Sequence, residues 1–278
     1  MSCRSGGSLT RGYLLNPEPL PLHMTPRVLV LRAPGSNCDV ETAYAFEQAG
    51  AAAERIHVNR LLEAPQLAGD FQILCLPGGF SYGDDLGAGR ILGNQLRHHL
   101  GDALAAFRDQ GKLILGICNG FQILVKSGLL DIDDEHGPAA TLNWNKSGRF
   151  IDRWVNLQVA SDRCVFLQGI EQIQLPIAHA EGQFMGRDDE ALDQFEDAGQ
   201  LALRYAAVEG EGCSQPYNPN GAARDVAGMC DRSGRVFGLM PHPERFIDRT
   251  QHPQWTRRPK FDEGEGLRLF LNAVQYFA

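Results

Sequence analysis

A cysteine placed between two glycines is the residue of this sequence with the clearest chemical meaning. Cys118 follows the apolar run 112–117 and is flanked by Gly116 and Gly120. Small residues on both sides allow the chain to turn sharply from a buried strand into a helix, and to hold a nucleophile in strained, exposed geometry. The amides at the start of that helix would lower the pKa of the thiol and favour the thiolate. A structural cysteine in an apolar stretch is the alternative, which the two glycines disfavour.

A histidine and a carboxylate much further along the chain could complete the site. A thiolate that attacks a carbonyl needs a proton donor for the leaving group, and histidine can donate and accept near neutral pH. His242 follows the strand-like segment 235–240, stands between two prolines, and precedes Glu244 by two residues. Because residues two apart in an extended segment point to the same side, we expect Glu244 to orient the His242 ring. We therefore predict a triad of Cys118, His242 and Glu244; a surface turn with an incidental histidine is the alternative.

Acyl transfer also requires an oxyanion hole, made by the amide after the nucleophile and a second amide from a neighbouring loop. Asn119 supplies the first amide. The glycine-rich segment 77–85 follows the strand-like run 71–76, and we assign the second amide to Gly79 because glycines allow close backbone approach. A phosphate-binding loop is the rival interpretation of this segment. The sequence lacks the lysine-containing phosphate-loop motif, which disfavours that interpretation.

The other cysteines and several histidines receive simpler interpretations. Cys75 lies inside an apolar strand and Cys230 ends one, so we assign both to core packing. Cys38 lies in a turn near the expected site, and loop structure and helix capping account for it. His98 and His99 are adjacent on a predicted helix and cannot face the same direction, so we predict no metal site there.

Composition excludes several classes of function. The 278 residues are 43% hydrophobic and carry a net charge of −8, so the chain can bury a full core and lacks the basic surface expected of a nucleic-acid-binding protein. No apolar run is long enough to span a membrane. Seven cysteines are scattered without the spacing of a disulfide framework or a zinc site, which predicts a reducing, cytoplasmic compartment and no bound metal. We expect residues 1–25 to be a disordered tail and residues 26–278 to form one domain.

The order of segments predicts an α/β fold. Short apolar runs at 27–33, 71–76 and 112–117 are typical of strands buried on both faces, and they alternate with helical stretches. One helix is expected from Asp39, as its capping residue, towards Gly50, and others are expected at 90–110 and 264–276. Right-handed crossovers then give a mostly parallel sheet flanked by helices, with its sites at the carboxyl ends of strands. An additional antiparallel portion is predicted from strand-like segments at 150–159, 173–179, 201–207, 226–230 and 235–240.

The combination of segment 116–122 with Pro-His-Pro-Glu at 241–244 resembles the triad class of glutamine amidotransferases. More narrowly, several segments resemble the glutaminase subunits of phosphoribosylformylglycinamidine synthase, an enzyme of purine biosynthesis. The likeness covers residue 27 to the C-terminus and implies a flavodoxin-like sheet of the amidotransferase type. The segments that carry it are 34–39, 77–84, 145–150, 217–221 and 240–245.

This resemblance implies that the triad hydrolyses L-glutamine to glutamate and ammonia. It also implies a larger synthetase subunit that uses ATP and Mg²⁺ and converts formylglycinamide ribonucleotide to the formylglycinamidine, often with a small bridging subunit. No cofactor is then expected on this chain, and no nucleic acid or membrane is expected as a partner. The substrate contacts that we expect are Gly78, Phe80, Gln122, His179 and Glu181.

The sequence departs from the family pattern in two places. The family's His-Gly-Glu-Gly is replaced by His179-Ala-Glu181-Gly, and a segment with His252 and Trp255 intervenes before the final helix. Neither departure changes a residue of the predicted triad. Three alternatives remain open from the residues alone: a cysteine hydrolase of another substrate, a non-catalytic subunit that keeps the fold, and a nucleotide-binding module.

Overall fold

The computed structural model describes residues 25–207, 216–258 and 263–278. The predicted tail, apart from Thr25, lies outside these ranges, as do Cys3 and Cys213. The strands are β1 (Arg27–Arg32), β2 (Ala52–His57), β3 (Ile73–Leu76), β4 (Leu113–Ile117), β5 (Asp133–Asp134), β6 (Gly137–Pro138), β7 (Ala140–Trp144), β8 (Ile151–Val159), β9 (Gln172–His179), β10 (Glu181–Gly186), β11 (Leu203–Tyr205), β12 (Val226–Cys230) and β13 (Val236–Leu239). The helices are α1 (Asp39–Gln48), α2 (Val58–Glu63), α3 (Arg90–His99), α4 (Gly101–Asp109), α5 (Asn119–Ser127), α6 (Asp189–Asp197) and α7 (Leu267–Gln275).

Nine of these strands form one sheet in the order β2-β1-β3-β4-β13-β12-β11-β8-β9. The strands from β2 to β13 in that order are mutually parallel, and those from β12 to β9 continue the sheet with antiparallel pairing. The predicted parallel sheet and its antiparallel portion are therefore confirmed, and the two portions belong to the same sheet. The pair β7 and β10 forms a separate small antiparallel sheet beside it.

The central strands are apolar because both of their faces are covered. Every residue of β3, β4 and β13 is buried, which explains the continuous apolar runs in the sequence. Helix α1 packs against α7, where Phe46 and Phe270 meet edge to face at 4.9 Å, and α3 packs against α5. Within the described part of the chain, no helix combines the length and the apolar character needed to cross a lipid bilayer.

The single helix predicted at 90–110 is wrong, because the structure divides this segment into α3 and α4. The break lies at Leu100, whose φ of −124° and ψ of 2° leave the helical region. The Leu100 side chain is 1% exposed, and Gly101, a poor helix former, begins α4. The chain changes direction at Leu100, whose side chain is buried in the core, and the helical spacing of the sequence did not reveal this break.

Asp39 was predicted to cap α1, and this prediction is also wrong. The residue that precedes the helix is Cys38, and Asp39 is the first helical residue. The Asp39 carboxylate instead forms ion pairs with Arg32 at 2.8 Å and with Arg55 at 3.2 Å. A carboxylate in a first helical turn is still favourable for the helix dipole, so the helix start was predicted correctly although the capping role was not.

Candidate active site

The nucleophile and the histidine meet because β4 and β13 are parallel neighbours. Ile117 at the end of β4 lies opposite Leu239 at the end of β13. Cys118 follows Ile117 directly, and its amide donates a hydrogen bond to the Leu239 carbonyl at 2.8 Å. His242 follows Leu239 by three residues. The structure therefore brings both residues to the carboxyl ends of adjacent strands, as the sequence predicted.

Cys118 occupies the turn that the flanking glycines predicted. Its φ of 51° and ψ of −103° are unusual for a residue with a side chain, and the residue precedes α5. A Cβ on Gly120 would lie 1.9 Å from the Leu76 carbonyl oxygen, and one on Gly116 would lie 2.6 Å from the Gly120 oxygen. The glycines are required because β3, β4 and α5 approach one another closely at the turn.

The expectation of an exposed thiol is wrong, because Cys118 is only 5% exposed. Its Sγ lies 3.8 Å from the carbonyl oxygen of Ala178, a residue near the end of β9, so β9 helps to cover the thiol. The surroundings of the sulfur nevertheless include a carbonyl and the imidazole of His242, so the thiol is covered by polar groups as well as by the core.

His242 and Glu244 form a buried pair. The His242 Nδ1 atom lies 2.6 Å from Glu244 Oε1, and the two residues are 2% and 1% exposed. The predicted extended geometry is wrong, because Pro243–Arg245 forms a short 3-10 turn. This turn, rather than an extended strand, brings the carboxylate to the ring. The His242 amide also donates to the Pro176 carbonyl at 2.9 Å, which anchors the residue to β9.

The surroundings of His242 favour the imidazolium. Burial alone would lower the pKa of His242, but the Glu244 carboxylate and then Cys118 outweigh it and raise the pKa well above its ordinary value. A histidine that holds its proton beside a thiol can donate that proton to a leaving group. The pair can therefore act as a general acid whose ring orientation is set by the carboxylate.

The predicted oxyanion-hole amides donate to no protein acceptor among residues 25–207, 216–258 and 263–278. Gly79 has a φ of 139° and forms an isolated antiparallel β-bridge with Ser36. The two backbone segments are so close that a Cβ on Gly79 would lie 2.8 Å from the Asn37 nitrogen. Among hydrogen bonds of the described residues, neither the Gly79 amide nor the Asn119 amide donates to another protein group. Both amides are free for a ligand oxygen, and the oxyanion-hole assignment itself stays a prediction.

The Asn119 side chain fixes the glycine-rich loop to the turn that carries the nucleophile. Its Nδ2 atom donates to Asp84 at 3.1 Å and to Gln122 at 2.9 Å, and its Oδ1 atom accepts from the Ser81 amide at 3.1 Å. Burial raises the pKa of Asp84, partly offset by hydrogen bonds from the Gly89 amide and from Asn119. Sequence reasoning predicted only the backbone role of Asn119 and missed this network.

Gln122 and Glu181 are held together beside this network. The Gln122 side chain is 4% exposed and donates from Nε2 to the Glu181 carbonyl. Glu181 begins β10, and this strand pairs with β7. Its carboxylate accepts from the Ala88 amide at 3.2 Å and is partly exposed. Their roles as substrate contacts stay predictions.

His179 is buried, and its ring lies against Gly182 of β10. Its Nδ1 atom lies 3.1 Å from Asn145 Oδ1, and its ring would lie within 2.8 Å of a Cβ on Gly182. Burial, and secondarily the charge of His242, lower the pKa of His179 to about 3, so the ring is neutral near pH 7. The structure thus places His179 near the triad in a neutral state.

The remaining predicted contacts lie on the glycine-rich loop. A Cβ on Gly78 would be 2.8 Å from His242 Cε1, so this glycine lies directly against the ring. Phe80, on the same loop, is 47% exposed. Cys75 and Cys230, which were assigned to core packing, are both fully buried, and His98 and His99 are exposed.

Cys38 makes a contact at the site that sequence reasoning missed. It is 1% exposed, and its Sγ accepts a hydrogen bond from Arg245 Nη2 at 3.1 Å. The same sulfur contributes to the raised pKa of His242. Nothing in the spacing of Cys38 relative to His242 could have signalled this contact, because the two residues belong to opposite ends of the chain.

Comparisons with known proteins show which proteins this chain resembles. Residues 25–277 match the model of the CobB/CobQ-like glutamine amidotransferase domain. The chain is 48% identical over 252 residues to the phosphoribosylformylglycinamidine synthase subunit PurQ of Dehalococcoides mccartyi, covering 90% of this chain and 97% of the relative. It is 40% identical to the protein of the same name from Methanococcus maripaludis, covering 92% of this chain and 99% of the relative.

Solved structures show the same relationship. A chain from the structure of PurLQS of Thermotoga maritima is 33% identical, with a TM-score of 0.70, and the match covers 92% of this chain and 100% of that one. A protein of Thermoplasma acidophilum, whose structure was solved as that of a putative GMP synthase component, is 14% identical with a TM-score of 0.55 over 92% of this chain and 96% of that one. The second likeness concerns the fold alone.

Proposed function

The chain belongs to the glutamine amidotransferase family, and we propose that it is the glutaminase subunit of a phosphoribosylformylglycinamidine synthase. It hydrolyses L-glutamine to glutamate and ammonia, and a synthetase subunit uses the ammonia to convert formylglycinamide ribonucleotide to formylglycinamidine ribonucleotide in purine biosynthesis. The observation that carries this proposal is the meeting of Cys118 with the buried His242–Glu244 pair, in which Nδ1 and Oε1 are 2.6 Å apart.

The first half of the reaction forms a thioester. The Cys118 thiolate attacks the side-chain amide carbon of glutamine, and the amides of Asn119 and Gly79 hold the oxyanion. His242 gives its proton to the amide nitrogen, the carbon–nitrogen bond breaks, and ammonia leaves. This step is supported by the raised pKa of His242, in which the Glu244 carboxylate outweighs the opposing effect of burial.

The second half of the reaction releases glutamate. The neutral His242 takes a proton from water, and the resulting hydroxide attacks the γ-glutamyl thioester. The thiolate of Cys118 is the leaving group. Glu244 holds the ring with Nδ1 directed at its carboxylate, which leaves the other ring nitrogen for the proton transfers. No metal or cofactor of this chain is needed for either half.

The substrate contacts that we propose include two pairs of neighbouring residues and His179. Gly78 and Phe80 belong to the loop that carries Gly79, and Gln122 and Glu181 are joined by a side-chain hydrogen bond. His179 is the fifth proposed contact; its Nε2 atom is buried and has no hydrogen-bond partner in the described part of the chain. A neutral histidine with a free nitrogen can bind a polar group of the substrate without adding charge.

We further propose that the chain works within a complex. The partner is a synthetase subunit that binds ATP and Mg²⁺, with a small third subunit between them; the similar Thermotoga maritima chain comes from a structure of PurLQS. The cytoplasm is the proposed compartment, because the cysteines of the described ranges, Cys38, Cys75, Cys118, Cys164 and Cys230, are all free thiols.

A glutamine-like alkylating analogue tests the proposal. The protein is treated with the analogue, digested, and the adduct is mapped by mass spectrometry, with excess L-glutamine as the protecting ligand. We expect a single adduct on Cys118 that glutamine prevents. The matched control is Cys118→Ala, which should take up no label. Dominant labelling of Cys38 or Cys75 would contradict the assignment, and so would labelling that glutamine leaves unchanged.

A further inference from the structure

Three side chains of the kind that bind metal ions converge at the catalytic histidine, which is one of them. One ligand atom each from Cys38, His242 and Glu244 lies within 4.8 Å of the other two. All three residues are at most 2% exposed. No other group of three histidine, cysteine or acidic side chains converges in this way within residues 25–207, 216–258 and 263–278. The cluster joins the N-terminal start of α1 to the chain after β13.

The backbone is shaped to let the thiol approach the imidazole. A Cβ on Gly78 would lie 2.8 Å from His242 Cε1 and 3.1 Å from Cys38 Sγ, so any side chain there would occupy the space that they share. Arg245 donates to the Cys38 sulfur at 3.1 Å. Burial, together with the Glu244 carboxylate, raises the pKa of the Cys38 thiol above its ordinary value, and the opposing effects of His242 and Arg245 only partly offset this rise.

The cluster also contains an unsatisfied carboxylate oxygen. Glu244 Oε1 is bonded to His242, but Oε2 is buried and has no partner within the described part of the chain. A buried acceptor without a partner costs free energy, and a coordinated cation would satisfy it. This oxygen is an indication of a ligand that is independent of the cysteine.

We propose that Cys38, His242 and Glu244 bind Zn²⁺ and that the bound ion reversibly inhibits the glutaminase. Thiolate, imidazole and carboxylate are the donors that zinc takes in proteins, whereas Mg²⁺ and Ca²⁺ select oxygen ligands. Binding releases the thiol proton of Cys38 and the ring proton that His242 shares with Glu244. Inhibition follows because an imidazole coordinated through Nδ1 keeps its proton on Nε2 and can no longer cycle between the imidazolium and the neutral ring, as the two half-reactions require. The binding does not depend on the proposed function, and the inhibition rests on it.

The decisive test separates this site from the nucleophile. Zn²⁺ is titrated into the metal-free full-length chain against a chromophoric chelator, in the wild type, Cys118→Ala and Cys38→Ala. We expect one ion per chain, an affinity in Cys118→Ala close to that of the wild type, and an affinity in Cys38→Ala at least about tenfold weaker. Co²⁺ is used in parallel, and its thiolate charge-transfer absorption should persist in Cys118→Ala and vanish in Cys38→Ala.

Two controls keep the test informative. Cys38→Ser retains a polar group beside Arg245 and should fold, as monitored by thermal unfolding, but it should bind zinc as weakly as Cys38→Ala. The double variant His98→Ala with His99→Ala removes exposed histidines and should bind zinc like the wild type. Loss of binding in Cys118→Ala with retention in Cys38→Ala would overturn the proposal, because the ion would then lie between the nucleophile and His242.

Inhibition is measured separately, as glutamate formation against Zn²⁺ concentration, with each variant compared with its own zinc-free rate. We expect a chelator to restore the wild-type rate and Cys38→Ser to need at least about tenfold more zinc for half inhibition. Zinc that binds without slowing glutamate formation would overturn the inhibitory role. A chain that binds zinc in the titration but never hydrolyses glutamine would overturn the proposed function and leave the zinc site standing.

Discussion

The amide of Cys118 donates a hydrogen bond to the carbonyl of Leu239 at 2.8 Å, which ties the proposed nucleophile to the strand that leads to His242. This bond continues the parallel ladder of β4 and β13 beyond its last pair. The position of the sulfur relative to the imidazole is therefore set by the central sheet. Loops can vary in such a fold while the reacting groups stay in place.

Replacement of Cys118 should prevent the complex from using glutamine as its nitrogen source but still allow it to use free ammonia. In Cys118→Ala we expect glutamine-dependent synthesis by the assembled complex to fall by at least about 10³-fold, because no thioester can form. Activity with free ammonia should be retained, since it bypasses this chain. The two rates are measured on the same preparation with glutamine or an ammonium salt. Equal loss of both activities would show that Cys118 has a structural role in the complex.

Removal of the carboxylate beside His242 should change both the rate and its pH dependence. For Glu244→Gln we expect kcat/KM for glutamine to fall by about 10²- to 10⁴-fold, because the ring loses its orienting partner. The carboxylate raises the pKa of His242, so its loss lowers that pKa and the alkaline limb of the kcat/KM profile moves to lower pH. Glu41→Gln, at the partly exposed Glu41–Arg245 ion pair, is the control. An unmoved alkaline limb would argue against this role of Glu244.

His179 should make the protein sensitive to mild acid. Its pKa is lowered to about 3 in the folded state, against an ordinary value of 6.5. Above pH 6.5 both states hold a neutral ring, and as the pH falls from 6.5 towards 3 only the unfolded chain gains the proton. This residue therefore removes about 1.4 kcal/mol of unfolding free energy per pH unit in that window.

The measurement is urea unfolding at pH 6.5 and pH 5.0, where this effect precedes most carboxylate titration. We expect His179→Gln to lose less stability between the two values than the wild type does. His136→Gln, at an exposed histidine, should behave like the wild type. His242 does not obscure the comparison, because its raised pKa removes stability only above pH 6.5. An equal loss of unfolding free energy between pH 6.5 and pH 5.0 in all three proteins would exclude a buried neutral His179.

The tight turn at the nucleophile should not accept even a methyl group. In Gly120→Ala the new Cβ would lie 1.9 Å from the Leu76 carbonyl oxygen, so β3 and α5 must separate. We expect a loss of at least about 2 kcal/mol in the free energy of unfolding, together with loss of glutaminase activity. In the matched variant Gly101→Ala the Cβ meets nothing within 4 Å, and we expect stability within about 1 kcal/mol of the wild type. Comparable losses in both would refute the steric argument.

The elements that could be predicted from the sequence are those whose environment is uniform along their length. Strands β3, β4 and β13 are covered on both faces, so their composition is apolar throughout. Strand β2 has no such signal, because it lies at the edge of the sheet and mostly exposes Ala-Ala-Glu-Arg-Ile-His. The break at Leu100 was missed for a related reason, since burial there depends on the neighbouring elements.

The sequence by itself was enough to single out the groups that we propose react. Cys118 between its glycines, and His242 two residues from Glu244, are local arrangements, and local patterns carry their own chemical meaning. Only the tertiary structure decided that β4 lies beside β13, that a 3-10 turn delivers the carboxylate, and that Cys38 lies against the imidazole. The physical reason is that strand order and side-chain packing arise from contacts between residues far apart in the chain, which no local spacing encodes.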